Sequence, residues 1–101
     1  MAFINGPVPE VVERLVTATP AEFERDLRAA WVAVSRPAPG RLLLVDGEQR
    51  LTLELQVLPV RKLGLFELPQ LQVRYCFEGG DEPARRSWLA KLDRSMQKGG
   101  G

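Results

Sequence analysis

The residues that most often perform catalysis are scarce in this sequence. Its 101 residues include no histidine and one cysteine, Cys76. Because histidine is the usual general base near neutral pH, neither a Ser–His–Asp triad nor a Cys–His pair can form within one chain. A zinc site needs several nitrogen or sulfur ligands, and Cys76 alone cannot supply them. The composition therefore predicts no catalytic residues and no metal or other cofactor.

The other side chains that could do chemistry are carboxylates and lysines. Glu54 and Glu78 could act as paired carboxylates, but they fall on different predicted strands and nothing fixes their separation. Lys62 and Arg61 flank a predicted turn, whereas a catalytic lysine needs burial or a neighbouring cation. A carboxylate-only Mg²⁺ or Ca²⁺ site is formally open, but no D-x-D-x-D-G run is present. We therefore expect a protein that is not an enzyme.

A basic segment near the C-terminus is the candidate site for a polyanion. From residue 85 onward the chain has five basic residues and one acid, Asp93, although its overall net charge is only +1. Clustered Lys and Arg can bind phosphates, but the same charges also suit the solvated face of a helix. Binding of nucleic acid or another polyanion is therefore one alternative function. Its candidate residues are Arg85, Arg86, Lys91, Arg94 and Lys98.

The elements that position these residues begin with two predicted helices. Apolar residues at helical spacing predict a first helix over residues 9–18. Thr19 and Glu22 form a capping-box pattern, with Thr19 as the N-cap, which predicts a second helix over residues 20–32. The proline-rich residues 35–40 predict a loop.

From residue 41 the apolar spacing changes to strict alternation, which predicts strands. Asp46-Gly47 predicts a type I′ hairpin turn. Pro59 interrupts the second strand, and Arg61-Lys62 is predicted as a turn. The four predicted strands cover residues 41–45, 49–58, 63–68 and 70–78.

A last helix completes the predicted fold, with Asp81 as its N-cap and residues 82–98 as its extent. Two of the strands present one apolar and one polar face, as in an antiparallel sheet with one covered side. We predict a single α+β domain over residues 1–101. It is a four-stranded antiparallel sheet, arranged as a meander and covered on one face by helices, in the order ααββββα. Residues 1–6 and 99–101 are predicted to be flexible.

The second face of the sheet is the predicted interaction surface. The strands at 41–45 and 63–68 carry apolar residues on both sides, so some of these reach the polar face. An apolar patch rimmed by polar side chains is typical of an interaction site. We expect a second copy of the chain or another protein to bind there, unless the Phe3-Ile4 segment or a loop covers the face. The candidate residues are Glu54, Phe66, Leu68, Gln72 and Arg74.

A small apolar molecule is the other partner considered. Helices on a sheet can enclose a cavity, which would make the protein a carrier or sensor of such a ligand. A tightly packed core without a void would exclude this function. The cavity would be lined by Leu53, Leu55, Val73, Trp31 and Trp88.

The cysteine count and the N-terminal residues indicate the compartment. One cysteine cannot form an intrachain disulfide, and the first residues lack a basic region followed by a long apolar core. The longest aliphatic run, residues 42–45, is far too short to span a bilayer. The sequence therefore predicts a cytoplasmic protein with no membrane partner.

The end of the chain resembles a known group of proteins. Phe77-Glu78-Gly79-Gly80 leads into a basic helix with an aromatic residue, and the chain ends in Met96-Gln97-Lys98 and three glycines. This ending resembles the C-terminus of small, uncharacterised bacterial proteins. The resemblance covers roughly the last quarter of the chain. It implies that the three glycines are native, and it implies no activity and no site residues.

Overall fold

Five antiparallel strands form one sheet, and two helices cover one of its faces. The computed structural model of the chain describes residues 7–31 and 33–100, with side chains described up to residue 96. The elements are β1 (Val11–Val16), α1 (Pro20–Ala30), β2 (Val34–Ala38), β3 (Arg41–Asp46), β4 (Gln49–Leu63), β5 (Phe66–Glu78) and α2 (Glu82–Gly100). The strand order is β1-β5-β4-β3-β2. Strands β2 to β5 therefore form a meander, and β1 is added beside β5.

The core lies between the sheet and the helices. Phe23 and Leu27 of α1, and Leu89 and Leu92 of α2, are buried in one cluster with strand residues. Burying one such side chain stabilises the fold by about 1.5–3 kcal/mol, so both helices are held on this face mainly by packing. The strand residues of the cluster are Val12, Val16, Val34, Leu42, Leu44, Leu51, Leu53, Leu71, Val73, Tyr75 and Phe77.

Both helices begin where the sequence predicts. Thr19 Oγ1 accepts a hydrogen bond from the Glu22 N–H at 3.1 Å, and Glu22 Oε1 accepts one from the Thr19 N–H at 2.8 Å. These reciprocal bonds confirm the capping box, and the bond from the Thr19 backbone lowers the pKa of the Glu22 carboxyl. Asp81 Oδ1 accepts from the Ala84 N–H at 3.0 Å, which confirms Asp81 as the cap of α2.

The helix predicted over residues 9–18 is wrong, because this segment contains β1. Val8, Val12 and Val16 are buried, and a spacing of four residues fits both a helix stripe and one face of a strand. Valine favours strands, and β5 offers a partner along the whole of β1, from Val11 opposite Cys76 to Val16 opposite Leu71. The strand propensity of valine and the pairing with β5 together explain why this segment is a strand.

The predicted loop at 35–40 is also corrected, since most of it belongs to β2. Ser35 pairs with Leu43 and Ala38 pairs with Arg41, with a register shift between the two pairs. Pro37 falls inside that shift. An edge strand tolerates a proline where its ladder is irregular, so the proline did not prevent a strand from forming.

The predicted strands at 63–68 and 70–78 are corrected, because residues 66–78 form the single strand β5, while Leu63 ends β4 and residues 64–65 form the turn between them. Arg61 and Lys62, predicted as a turn, lie within β4, which passes Pro59 by a register shift between Leu58 and Arg61. The chain reverses at Gly64, whose φ is 60°. The sheet therefore has five strands instead of four, and the order is βαββββα.

Two element boundaries also differ from the predictions. The β3–β4 turn has Gly47 and Glu48 at its centre, and positive φ occurs at Gly47 but not at Glu48. A type I′ turn needs positive φ at both central residues, so the turn has the pattern of type II′. Helix α2 continues to Gly100, beyond the predicted end at residue 98. The predicted flexible residues 1–6 lie outside the described part of the chain.

Candidate functional site

The ends of β4 and β5 project from the sheet as a two-stranded arm, defined here as residues 57–70. The pairing of β3 with β4 ends at Glu54, and the pairing of β1 with β5 ends at Leu71. Beyond these points the ladder pairs β4 with β5, as far as Leu63 opposite Phe66. At about 3.3 Å per residue the arm extends about 20–25 Å.

The arm exposes large apolar side chains. Leu65 at the tip is 101% exposed and Phe66 is 72% exposed. Val57, Val60 and Leu63 are exposed by 66%, 49% and 46%. A two-stranded hairpin is at best marginally stable in water, and contiguous exposed apolar surface is typical of a binding site. The exposed apolar side chains of the arm are therefore typical of a surface that is buried when a partner binds.

Prolines stand at both edges of the arm. The Phe77 N–H of β5 donates to Glu10 O, and the Leu55 N–H of β4 donates to Gly40 O. Because backbone N–H groups alternate in direction along a strand, the odd-numbered residues of β5 point their N–H groups away from β4, and those of β4 point theirs away from β5. By this alternation, the N–H groups that Pro69 and Pro59 lack would lie on the outer edges of the arm. A missing donor opposes the addition of a further strand, so the arm is suited to binding through its faces.

The side of the sheet opposite the helices is the open face. It is formed by the odd-numbered residues of β1 and β3, the even-numbered residues of β5, and those of β4 up to residue 58. Val11, Leu15 and Val45 are large exposed apolar side chains on it. Apolar residues thus reach both sides of the sheet, as the sequence predicts for β3.

The residues predicted for an interaction surface share this face. Glu54 and Arg74 lie directly opposite each other on β4 and β5, and Gln72 is two residues from Arg74 along β5. Phe66 and Leu68 follow on the same side of β5 by alternation, within the arm. All five therefore lie on the same side of the sheet, although Gln70, which lies between Leu68 and Gln72 on β5, is buried and donates to Thr17 Oγ1.

The candidate catalytic groups are not brought together. Glu54 and Glu78 each oppose an arginine and lie two rows apart, about 13 Å along the strands. Lys62 is exposed, and its Nζ lies 4.0 Å from Glu67 Oε1. Cys76 is half-buried on the open face, between Val11 and Thr52. Among residues 7–31 and 33–100, no three His, Cys, Asp or Glu side chains are grouped as metal ligands.

Three basic residues of α2 have partners within the chain. Arg85 Nε donates to Val8 O at 3.0 Å, and Arg86 pairs with Glu82 at 3.0 Å. Lys91 Nζ lies 4.4 Å from the centroid of the Trp31 ring, a cation–π geometry. Arg94 is exposed. Lys98 lies where only the backbone is described. Three of the five predicted polyanion residues therefore serve packing or helix stability.

The side chains predicted to line a ligand cavity belong to the core and its border. Leu53 and Val73 are fully buried, while Trp31, Leu55 and Trp88 pack against the core from the side. The two indole rings are 6.3 Å apart and tilted by 58°. Tilted aromatic pairs at this distance stabilise one another, which gives both tryptophans a structural role.

One ion pair lies on the covered face. Arg14 of β1 reaches Asp93 of α2, with 3.3 Å between Nε and Oδ1. Tyr75 is buried close by. Burial raises the pKa of its phenol far above the usual range, and Asp93 raises this pKa further while Arg14 lowers it. The phenol therefore stays protonated, and this cluster stabilises the contact between β1 and α2.

Sequence reasoning missed several charged residues of the open face. Glu13 falls in the helix predicted over residues 9–18, and Arg41, Arg50 and Glu78 are not among the residues predicted for the interaction surface. Two signals could have found them. The valine-rich segment around Glu13 favours a strand. The short hairpin at Gly47 fixes which residues of β3 and β4 are opposite, including Arg41 and Glu54.

Neither helix is long and apolar enough to cross a membrane, within the described part of the chain. Comparison of the sequence with protein-family models and with curated proteins finds no match.

Proposed function

We propose that this protein is a non-enzymatic interaction domain, which binds a protein through the open face and the arm. The observation that carries the proposal is the exposure of Leu65 and Phe66 at the tip of a two-stranded arm. Exposure of apolar surface to water is unfavourable. A protein partner that covers the arm therefore gains about 25 cal/mol of binding free energy for each Å² of apolar area removed from water.

The chemistry of the chain supports a binding role. It has no histidine, and its one cysteine, Cys76, lies between Val11 and Thr52. The two candidate catalytic carboxylates, Glu54 and Glu78, each lie opposite an arginine. The single cysteine also fits a reducing compartment, so we place this function in the cytoplasm. The open face then provides charge for orientation, and the arm provides apolar area.

Site-specific photo-crosslinking tests this function. A photoreactive amino acid is placed at Phe66 or Gln72, and matched controls carry it at Arg25 or Ser87, which are exposed on the helices. We expect protein crosslinks from Phe66 and Gln72 and none from the controls. If the four positions behave alike, or if none forms a crosslink to protein, the proposed function is wrong.

A further inference from the structure

The charges of the open face form two rows across the strands. The first row contains one residue from each of four adjacent strands, with each residue directly opposite the next: Glu13, Arg74, Glu54 and Arg41. The second row contains Glu78 of β5 opposite Arg50 of β4. In both rows the sign of the charge alternates from strand to strand.

Most of these charges lack an ion-pair partner among the described residues. Arg41 and Glu54 are paired, with 2.9 Å between Nη2 and Oε2. Within residues 7–31 and 33–100, no ion pair within 4.0 Å involves Glu13, Arg74, Arg50 or Glu78. The face therefore presents both signs of charge in a fixed order to whatever binds it.

An alternating row with an even number of members is complementary to itself. A two-fold axis can run parallel to the strands, above the open face and between β4 and β5. This axis places β5 of one copy over β4 of the other, and β1 over β3. Arg74 then meets Glu54 of the second copy, and Glu13 meets Arg41. The same axis brings Glu78 to Arg50, so every member of both rows meets the opposite charge.

Two pairs of apolar residues obey the same symmetry. Val11, Cys76, Thr52 and Leu43 form one row across β1, β5, β4 and β3. Because the axis places β1 over β3, Val11 of one copy meets Leu43 of the other. In the arm, Phe66 opposes Leu63. The two-fold axis therefore packs the Phe66 side chain of each copy on Leu63 of the other. The charged rows and these two apolar pairs are therefore matched, whereas Leu68 meets Arg61 of the second copy, because these two residues lie opposite each other on β5 and β4.

We propose that the open face binds a second copy of this chain face to face, so that two sheets form a sandwich and the two arms cover one another. This inference rests on the proposed function and names its partner. Sheets pack in this way about 10 Å apart. A face four strands wide, together with the arm, offers on the order of 700 Å² per copy, near the roughly 800 Å² per partner of a stable interface.

Association through strand edges is disfavoured. Pro59 and Pro69 remove donors from the edges of the arm, and Pro37 lies in the edge strand β2. At the β1 edge, two copies of the chain could pair their β1 strands in an antiparallel register that sets Val11 of one copy opposite Leu15 of the other. This register also sets Glu13 of one copy opposite Glu13 of the other. Like charges directly opposite each other destabilise strand pairing.

Sedimentation of two charge-reversal variants, alone and mixed, tests the inference. Glu54→Arg sets arginine against Arg74 of the second copy, and Arg74→Glu sets glutamate against Glu54. We expect the wild type to be a dimer at micromolar concentrations and each variant alone to dissociate with a Kd raised at least about tenfold. An equimolar mixture regains the dimer, because the two new charges then face each other. Circular dichroism checks that each variant is folded.

Two further measurements keep the inference falsifiable. The double variant Glu54→Arg with Arg74→Glu exchanges the charges and keeps the face complementary, so it dimerises like the wild type. A monomeric wild type, a dimer that the single substitutions leave unchanged, or a mixture that stays monomeric overturns the inference. If the wild type is monomeric and Phe66 still crosslinks to a different protein, the proposed function stands and the second copy is the wrong partner.

Discussion

The backbone N–H of Val8 donates to Oε2 of Glu82 at 2.6 Å, which ties the segment before β1 to the first turn of α2. The Nε of Arg85 donates to Val8 O at 3.0 Å, so both polar groups of this buried valine are bound by one helix turn. These bonds hold the start of the sheet edge against the helix layer.

Glu82 therefore makes stability depend on pH. The bond from Val8 lowers the pKa of the Glu82 carboxyl, and Arg86 lowers it further. A group with a lowered folded pKa stabilises the fold above its unfolded pKa, and this contribution is lost as pH falls through the folded value. We expect Glu82→Gln to reduce the loss of Tm between neutral and acidic pH, measured by thermal unfolding. Glu48→Gln, in an exposed turn, serves as the control. An unchanged pH dependence in Glu82→Gln would contradict this assignment.

Loss of the Arg14–Asp93 ion pair is expected to lower the free energy of unfolding at neutral pH. Both side chains are less than one-fifth exposed, and they join β1 to α2. Asp93→Asn leaves the arginine charge without its partner, so we expect a loss of about 1.5–3 kcal/mol in the free energy of unfolding. Urea denaturation measures this loss. The matched control is Asp26→Asn at the Arg25–Asp26 pair, where Arg25 is exposed and the loss should be below about 1 kcal/mol. Equal losses at the two pairs would refute the prediction.

The sequence was sufficient for the parts of the fold that local patterns determine. Strict alternation identified the covered face of β5, where Leu71, Val73, Tyr75 and Phe77 are buried. The capping box at Thr19 gave the start of α1 because the two hydrogen bonds involve residues three apart. Such patterns need no knowledge of distant partners.

The remaining features depend on pairing between distant residues. Whether residues 11–16 form a helix or a strand is decided by β5, which lies some 60 residues further along the chain. The sequence does not predict the arm, because Pro59 and Pro69 indicate breaks in the strands, whereas a register shift and an unpaired edge accommodate both prolines. The four-membered charge row is complete only once β1 stands beside β5. Five surface residues could be predicted from alternation, and their order across the strands could not.

Gly79 is expected to be the glycine most sensitive to substitution. Its φ is 70°, and a Cβ at this position would overlap the carbonyl oxygen of Glu48 in the β3–β4 turn. Gly79→Ala should destabilise the fold by about 2–5 kcal/mol, through backbone strain and overpacking. Gly47→Ala is the control, since its φ of 62° imposes similar strain but nothing lies within 4 Å. Its expected cost is about 1–2 kcal/mol. Chemical denaturation compares the two, and a larger loss in Gly47→Ala would show that the contact with Glu48 is unimportant.

The prolines of the arm give the last prediction. Replacing Pro59 and Pro69 together with threonine restores a backbone donor on each outer edge and raises β propensity. The outer edges of the arm then offer free donors to a further strand, so the variant should add strands at these edges and form large assemblies. Light scattering and thioflavin fluorescence should rise with concentration, whereas Pro39→Thr, in the β2–β3 turn, should match the wild type. If the double variant scatters no more than Pro39→Thr, the arm edges are protected by its twist or side chains, and the prolines have no part in it.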